Sequence, residues 1–223
     1  GVGAAHAGPS WSPPAKGLVP LADPEPTCPD CLSYDFLDLQ YGFDDYETPF
    51  FDNGHRYGLG FSKSIGCNFF VTGAFDFGGY DYDWDGHIVD VEQRRFRLGA
   101  GARASLAKCV DLTFEAGAEH FDAEYEGYAD HDYDSWAYYA GPGIRARAGK
   151  FEFFANAFYF GREGDLSRYY LTHHTHHGGD PHYSGWRVTP GVIFHATDAI
   201  GLKISADLER YYRTVWLGAR IHY

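Results

Sequence analysis

The chain has 223 residues, including 28 Gly, 18 Tyr, 18 Phe and no Met, with a formal net charge of -13. That charge argues against a nucleic-acid partner, which needs a basic face, and makes adhesion to bare anionic lipid unfavourable. Mean hydropathy is negative and no apolar run reaches the roughly eighteen residues of a spanning helix, which excludes a helical membrane span but not a membrane barrel, whose strands are only half apolar.

Residues 1–31 hold Pro13, Pro14, Pro20, Pro24, Pro26 and Pro29 with little periodicity, and are expected to form an irregular leader. Within it Ala5-His6-Ala7 has the A-x-A pattern of an export-signal cleavage site, so residues 1–7 are expected to be a signal remnant. Four cysteines, an even number, suit an exported and oxidising compartment. The barrel is expected over 32–223.

From there the sequence alternates at a period of two, which sends successive side chains to opposite faces of a strand. Ten strands are predicted, with eight as the alternative. The first, about 34–43, sets Leu37, Leu39, Tyr41 and Phe43 against Phe36, Asp38, Gln40 and Gly42. The second, about 55–63, sets Tyr57, Leu59 and Phe61 against Arg56, Gly58 and Gly60; the third, about 68–77, carries Phe69, Val71, Phe75 and Phe77 against Asp76. The fourth, about 89–105, alternates Phe96, Leu98 and Ala100 with Arg95, Arg97, Gly99, Gly101 and Arg103. The fifth, about 111–121, places Leu112 and Phe114 opposite Glu115 and Glu119. The sixth, about 135–148, places Trp136, Tyr138, Pro142 and Ile144 opposite Arg145 and Arg147, and the seventh, about 151–160, has Glu152 and Asn156 on its polar face. The eighth, about 185–196, sets Trp186, Val188, Pro190, Val192 and Phe194 against Arg187; the ninth, about 200–209, sets Ile200, Leu202, Ile204 and Leu208 against Lys203, Asp207 and Glu209. The last, 214–223, sets Val215, Leu217, Ala219, Ile221 and Tyr223 against Trp216, Gly218, Arg220 and His222, and is expected to pair with the first and close the sheet. Pro142 and Pro190 each remove a ladder donor, so a bulge is expected at both.

The connections alternate in length. They are long at 44–54, 78–88, 122–134 and 161–184, and short at 64–67, 106–110, 149–150 and 197–199. The segments 57–77, 96–121, 138–160 and 186–209 read as one hairpin repeated four times. An antiparallel up-and-down barrel with short turns at one rim and long loops at the other has this pattern.

The polar face decides which side is out. It collects nine cations (Arg56, Arg95, Arg97, Arg103, Arg145, Arg147, Arg187, Lys203, Arg220) and seven anions (Asp38, Asp76, Glu115, Glu119, Glu152, Asp207, Glu209), interspersed with Gly. Mixed, nearly balanced charges suit a narrow lumen, where an unpaired charge is costly and bulk does not fit. Aromatics fall near the strand ends of the apolar face: Tyr41, Phe43, Tyr57, Phe75, Phe77, Trp136, Tyr138, Tyr159 and Trp186 on the long-loop side, Phe69, Phe151 and Tyr223 on the other. Such girdles mark the two interfaces of a bilayer. The fold class expected is therefore all-β, an antiparallel transmembrane barrel with an N-terminal irregular extension.

The strand Gly218 to Tyr223, ending Ile221-His222-Tyr223, resembles the closing strand of small bacterial outer-membrane β-barrel proteins of the 8- to 10-stranded class, by which the barrel-assembly machinery recognises them. The resemblance implies residence in the outer membrane, long loops outside, both termini periplasmic, and outer-membrane lipid and lipopolysaccharide as surroundings. A structural or surface-interaction role is expected first and a narrow ion-conducting pore second, with the extracellular partner left open.

Four groups are candidates for chemistry. Cys28, Cys31, Cys67 and Cys109 all fall at the short-turn rim; Cys28 with Cys31 and Cys67 with Cys109 are favoured over crossed pairings, and no thioredoxin-like βαβ unit surrounds Cys28-Pro-Asp-Cys31. The fourth long loop carries His173, His174, His176, His177 and His182, imidazoles dense enough for Zn, Ni or Cu, though a solvated loop has no fixed second shell. The acidic loops, notably 122–134, offer carboxylates for divalent cations that bridge to lipopolysaccharide. No cofactor is expected beyond such ions. Finally, Asp81-Tyr82-Asp83 and Asp180-Pro181-His182 resemble the acidic pair and the Asp-x-His pair of the outer-membrane proteases called omptins, which would make Asp81, Asp83, Asp180 and His182 catalytic.

Overall fold

A computed structural model describes residues 31–46, 53–84, 87–126, 131–165, 182–210 and 212–223. Ten strands run in chain order: β1 Phe36–Tyr46, β2 Gly54–Ile65, β3 Phe69–Trp84, β4 His87–Ala107, β5 Val110–Glu126, β6 His131–Ala148, β7 Phe151–Asp165, β8 His182–His195, β9 Ile200–Leu208 and β10 Tyr212–His222. Each is antiparallel to its chain neighbours, and β10 returns to β1, so the sheet closes as an up-and-down barrel with no free edge along the closed circuit. The closing register runs from Phe36↔His222 through Leu39↔Ala219 to Tyr46↔Tyr212.

The alternation sorts the two faces as the period of two requires. Outside stand Leu39, Tyr57, Leu59, Phe75, Phe96, Leu98, Phe114, Ile144, Leu202, Ile204 and Val215, all exposed. Inside, Arg56, Arg95, Glu119, Arg187 and Arg220 are each 5% exposed or less. The molecule is thus apolar out and charged in, the inverse of a water-soluble barrel. Rings meet along the outer long-loop end, as Tyr41 with Tyr57, Tyr57 with Phe77 and Tyr159 with Trp186. Phe69, Phe151 and Tyr223 stand exposed at the other end.

The short rim is made of tight connections. Gly66 and Gly149 take left-handed backbone in two of them, where a β-carbon would be strained. In the 196–199 turn Thr197 Oγ1 accepts the Ile200 amide at 3.0 Å.

Three expectations about the backbone are corrected. Much of 78–88 and 122–134 is strand rather than loop, and so are 161–165 and 182–184: β3 and β4 remain paired to Trp84↔His87, and β5 and β6 to Tyr125↔His131. Val89, Val91 and Ala123 are buried there, with Tyr80 and Phe121 packed against them, so the extended ladder has a small apolar cluster of its own. Neither Pro142 nor Pro190 sits in a bulge. Pairing of β6 with β7 skips Gly141 and Pro142 and resumes in the same register, and pairing of β8 with β9 does the same across Thr189 and Pro190. Each proline lacks only a donor on one side, while its other ladder stays in register. The register shift observed lies between Ser105 and Ala107, at the β4–β5 turn.

The third correction concerns the cysteines. Cys31 bonds Cys109, with Cα atoms 4.9 Å apart, and Cys67 is also disulfide-bonded, so the pairs Cys28–Cys31 and Cys67–Cys109 do not form. The physical reason is the path of the chain before β1. Instead of looping back on itself, it crosses the barrel mouth and brings Cys31 to the β4–β5 turn, where Cys109 adopts φ 63°.

Candidate functional site

The lumen is built from the inward positions of all ten strands. Towards the long-loop end, Arg56 Nε donates to Asp44 at 2.5 Å and its guanidinium lies 3.6 Å from Asp76, which also accepts from Arg95 at 3.0 Å. Asp44 further accepts from Thr214 at 2.6 Å. Asp207 accepts from Thr189 at 2.7 Å and from the Trp216 indole at 3.0 Å, and stands 4.0 Å from Arg95. On the facing wall Arg187 grips Glu119 with two nitrogens at 2.7 and 3.2 Å and donates to Glu209 at 2.5 Å, while Arg162 reaches the same Glu119 at 3.1 Å. A bidentate fork of this kind is the strongest geometry available to a guanidinium and a carboxylate.

A second cluster lies nearer the short turns. Asp38 takes two hydrogen bonds from Arg220, at 2.7 and 2.8 Å, and one from Lys203 at 2.8 Å. Glu152 accepts from Arg145 at 2.5 Å and meets the His195 ring at 3.2 Å. Between the two clusters is a cavity of about 170 Å³ lined by Arg97, Glu115, Phe154, Asn156 and Lys203 among others; there Glu115 accepts from Thr72 at 2.8 Å and Tyr139 at 2.9 Å. Small residues make room for these side chains. A β-carbon on Gly101 would come within 2.2 Å of the Phe70 ring.

The short-turn mouth is occupied by the segment before β1. Leu32 and Tyr34 are buried against Phe70, and Tyr34 donates to Asp111 at 3.2 Å. The Arg145 and Arg103 guanidiniums stack on the Tyr34 ring at 4.2 and 4.6 Å. Arg145 also donates to the Ser33 carbonyl at 3.0 Å and Arg147 to the Cys31 carbonyl at 3.3 Å. Asp35 holds the outer edge by accepting the Ser64 amide at 2.6 Å, with Lys63 3.3 Å away. Burial, opposed by Arg145 and reinforced by Asp111, pushes the Tyr34 phenol up to about 12. Burial would raise the Asp35 carboxyl too, but the hydrogen bonds from Ser64 and the Lys63 ammonium outweigh it and hold that group below the usual range.

The inward set read from the sequence is found facing the lumen or its rims, with Arg147 on the short-turn rim and Glu209 just past β9. Three inward charges were missed. Asp44 and Asp111 were assigned to a connection and a strand start, and Arg162 to a loop; adding them makes ten cations and nine anions. Simple continuation of the alternation, Asp38-Gln40-Gly42-Asp44, would have found the first. Leu32 and Tyr34 carried no such signal, because an apolar pair after a proline-rich run looks like any strand start.

The omptin-like residues are distributed over opposite walls. Asp81 and Asp83 lie on β3, in register with Asp90 and Ile88, and His182 opens β8, five strands away in either direction round the barrel. Asp180 lies outside the described residues, as do Cys28 and the loop histidines His173, His174, His176 and His177. Among the described residues no group of three or more His, Cys, Asp or Glu side chains is arranged to hold a metal ion.

No family profile and no curated protein matches the chain. Solved structures do. The beta domain of the Bordetella autotransporter Brka superposes with a TM-score of 0.50 at 10% identity, over 85% of this chain and 99% of that one. The translocator domain of the autotransporter NalP from Neisseria meningitidis gives 0.47 at 11%, over 87% and 90%, and the NanC porin 0.46 at 10%, over 84% and 100%. These are bacterial outer-membrane β-barrels, and at such identities the likeness is one of fold: the closed antiparallel barrel, built in this chain from ten strands.

Proposed function

We propose that the chain is an integral outer-membrane barrel with a structural or surface-interaction role and a lumen sealed by paired charges. Its long connections face the exterior, its short turns and both termini the periplasm, and its surroundings are outer-membrane lipid and lipopolysaccharide, reached through the barrel-assembly machinery. The observation that carries this reading is the inversion of polarity: an exterior of Leu, Ile, Val and aromatic side chains around an interior of ion pairs. Hydrocarbon tolerates the first without cost, and a barrel wall satisfies every backbone group that lipid cannot.

The surface role draws support from strand length. A barrel strand crosses a bilayer with about 9–11 residues, whereas β4 has 21, β6 18, β5 17 and β3 16. One wall therefore rises well past the apolar belt on the long-loop side. It carries Arg94 paired with Glu124 and His120 beside Asp134 on its faces. A rigid, charged sheet held clear of the membrane is a suitable surface for an extracellular partner.

Refolding tests the reading. The protein is expected to require detergent or lipid for solubility and to migrate faster on a denaturing gel before boiling than after. A chain that stays monomeric and folded in plain buffer contradicts it.

A further inference from the structure

The short-turn mouth contains a second cavity, of about 430 Å³, whose walls include His195, His222 and Asp198 together with Asp35 and Arg147. His195 ends β8 and His222 ends β10, and the 196–199 turn joins them through the bond from the His222 amide to the Ala199 carbonyl at 2.8 Å. Their rings lie 5.3 Å apart, centre to centre, 27° from parallel.

Among the described residues the ring nitrogens are incompletely used. His195 is 3% exposed; its Nε2 faces Glu152 Oε2 at 3.2 Å, and its Nδ1 is buried without a hydrogen-bond partner. Both nitrogens of His222 are likewise buried and unpartnered. A carboxylate can only accept, so Nε2 of His195 is the donor to Glu152 and Nδ1 is the ring nitrogen left facing the cavity side without a protein partner. That is the arrangement of a metal-ligating histidine, whose second nitrogen donates to a carboxylate that fixes its tautomer and raises its basicity. The ring separation also fits: two imidazoles that share one ion, each bonded at about 2.0–2.1 Å, place their centres roughly 5 Å apart at a tetrahedral angle. Of the guanidiniums nearby, Arg145 is bonded to Glu152, Arg220 to Asp38, and Arg103 lies 3.6 Å from Asp111, while Arg147 is drawn to the Cys31 and Gly149 carbonyls.

We propose that His195 Nδ1 and one nitrogen of His222 bind a first-row divalent ion of the Zn2+ or Cu2+ class in this cavity, with Glu152 orienting His195. Imidazole ligands suit these ions. Two side chains supply half of a tetrahedral set and water the rest; Asp198 lines the same cavity, but among the described residues no third such side chain completes a three-ligand group. The site is separate from His182, which opens β8 at the end opposite His195.

The test uses the full chain in detergent micelles with His173, His174, His176, His177 and His182 all replaced by Ala, so that loop imidazoles do not compete. Titration with Cu2+ is expected to show one site whose electron paramagnetic resonance spectrum carries coupling to two nitrogens, and Zn2+ is expected to displace it. In that background His195→Ala and His222→Ala each abolish the two-nitrogen signal, and Glu152→Gln, which keeps both ligands, weakens binding by about 10–100-fold. Heat-dependent gel migration reports whether each variant is folded; His222 is only partly buried at a strand end, so H222A keeps the test decisive even where H195A fails to fold. Failure of the loop-cleared chain to take up Cu2+, or uptake unchanged in folded H222A, overturns the proposal.

Discussion

Glu119 is 2% exposed and accepts from Arg187 and Arg162 at once. Its carboxylate cannot be lost cheaply, because both guanidiniums would remain in a lumen with one counter-charge fewer. Replacing one member of a buried pair costs about 3–5 kcal/mol, so Glu119→Ala is expected to lower the free energy of unfolding measured in urea by that order, while a truncation of outward Leu202 leaves the pairs intact. Asp35 carries the pH dependence of the mouth. Its folded carboxyl is held low, so its contribution is present above the ordinary carboxylate range and is lost as pH falls through the lowered value. Acid unfolding monitored with and without Asp35→Asn is expected to differ near neutrality and to converge at low pH; identical profiles would show that the Ser64 and Lys63 contacts contribute nothing. At this scale the sequence was informative wherever a charge sat in mid-strand, since the period of two alone assigns Arg56, Arg95, Arg187 and Arg220 inward. It was silent on partners. That Asp38 serves both Arg220 and Lys203, from strands far apart in the chain, follows only from closure.

The strand set was legible because apolar alternation is interrupted by short turns with Gly or polar residues. Strand ends were not. β3 to β6 continue past the apolar belt with only a small cluster of Val89, Val91 and Ala123 beneath them, too brief an alternation to separate a largely polar strand from a polar loop. The segment before β1 escaped for a related reason: its fit depends on Phe70, Asp111 and Arg145 from three other strands. The Cys31–Cys109 bond closes a separation of 78 residues, and loss of such a link costs about 2–5 kcal/mol. The double variant Cys31→Ser with Cys109→Ser is expected to stay barrel-shaped but to expose the peptide near Tyr34 to limited proteolysis, whereas an unchanged digestion pattern would mean that Tyr34 and its stacked guanidiniums hold the segment unaided.

At the scale of the whole molecule, closure decides the rest. With β10 on β1, nine or more charges of each sign are enclosed in one narrow space, and they pair across strands instead of facing water. Closing the mouth with Leu32 and Tyr34 adds an apolar and aromatic layer below them. The strongly negative net charge then belongs to residues outside this set, which keeps the lumen near neutrality while the exterior repels other anions. On the proposed reading, the excess of strand on one wall gives the barrel a surface beyond the membrane, and a lumen sealed by its ion pairs would leave that surface as the part able to meet a partner. Single-channel recording in planar lipid bilayers tests this most directly. Insertion of the refolded protein without stable conductance steps, at neutral pH and moderate salt, is the result predicted; reproducible discrete openings from the unmodified chain would contradict a lumen sealed by its ion pairs.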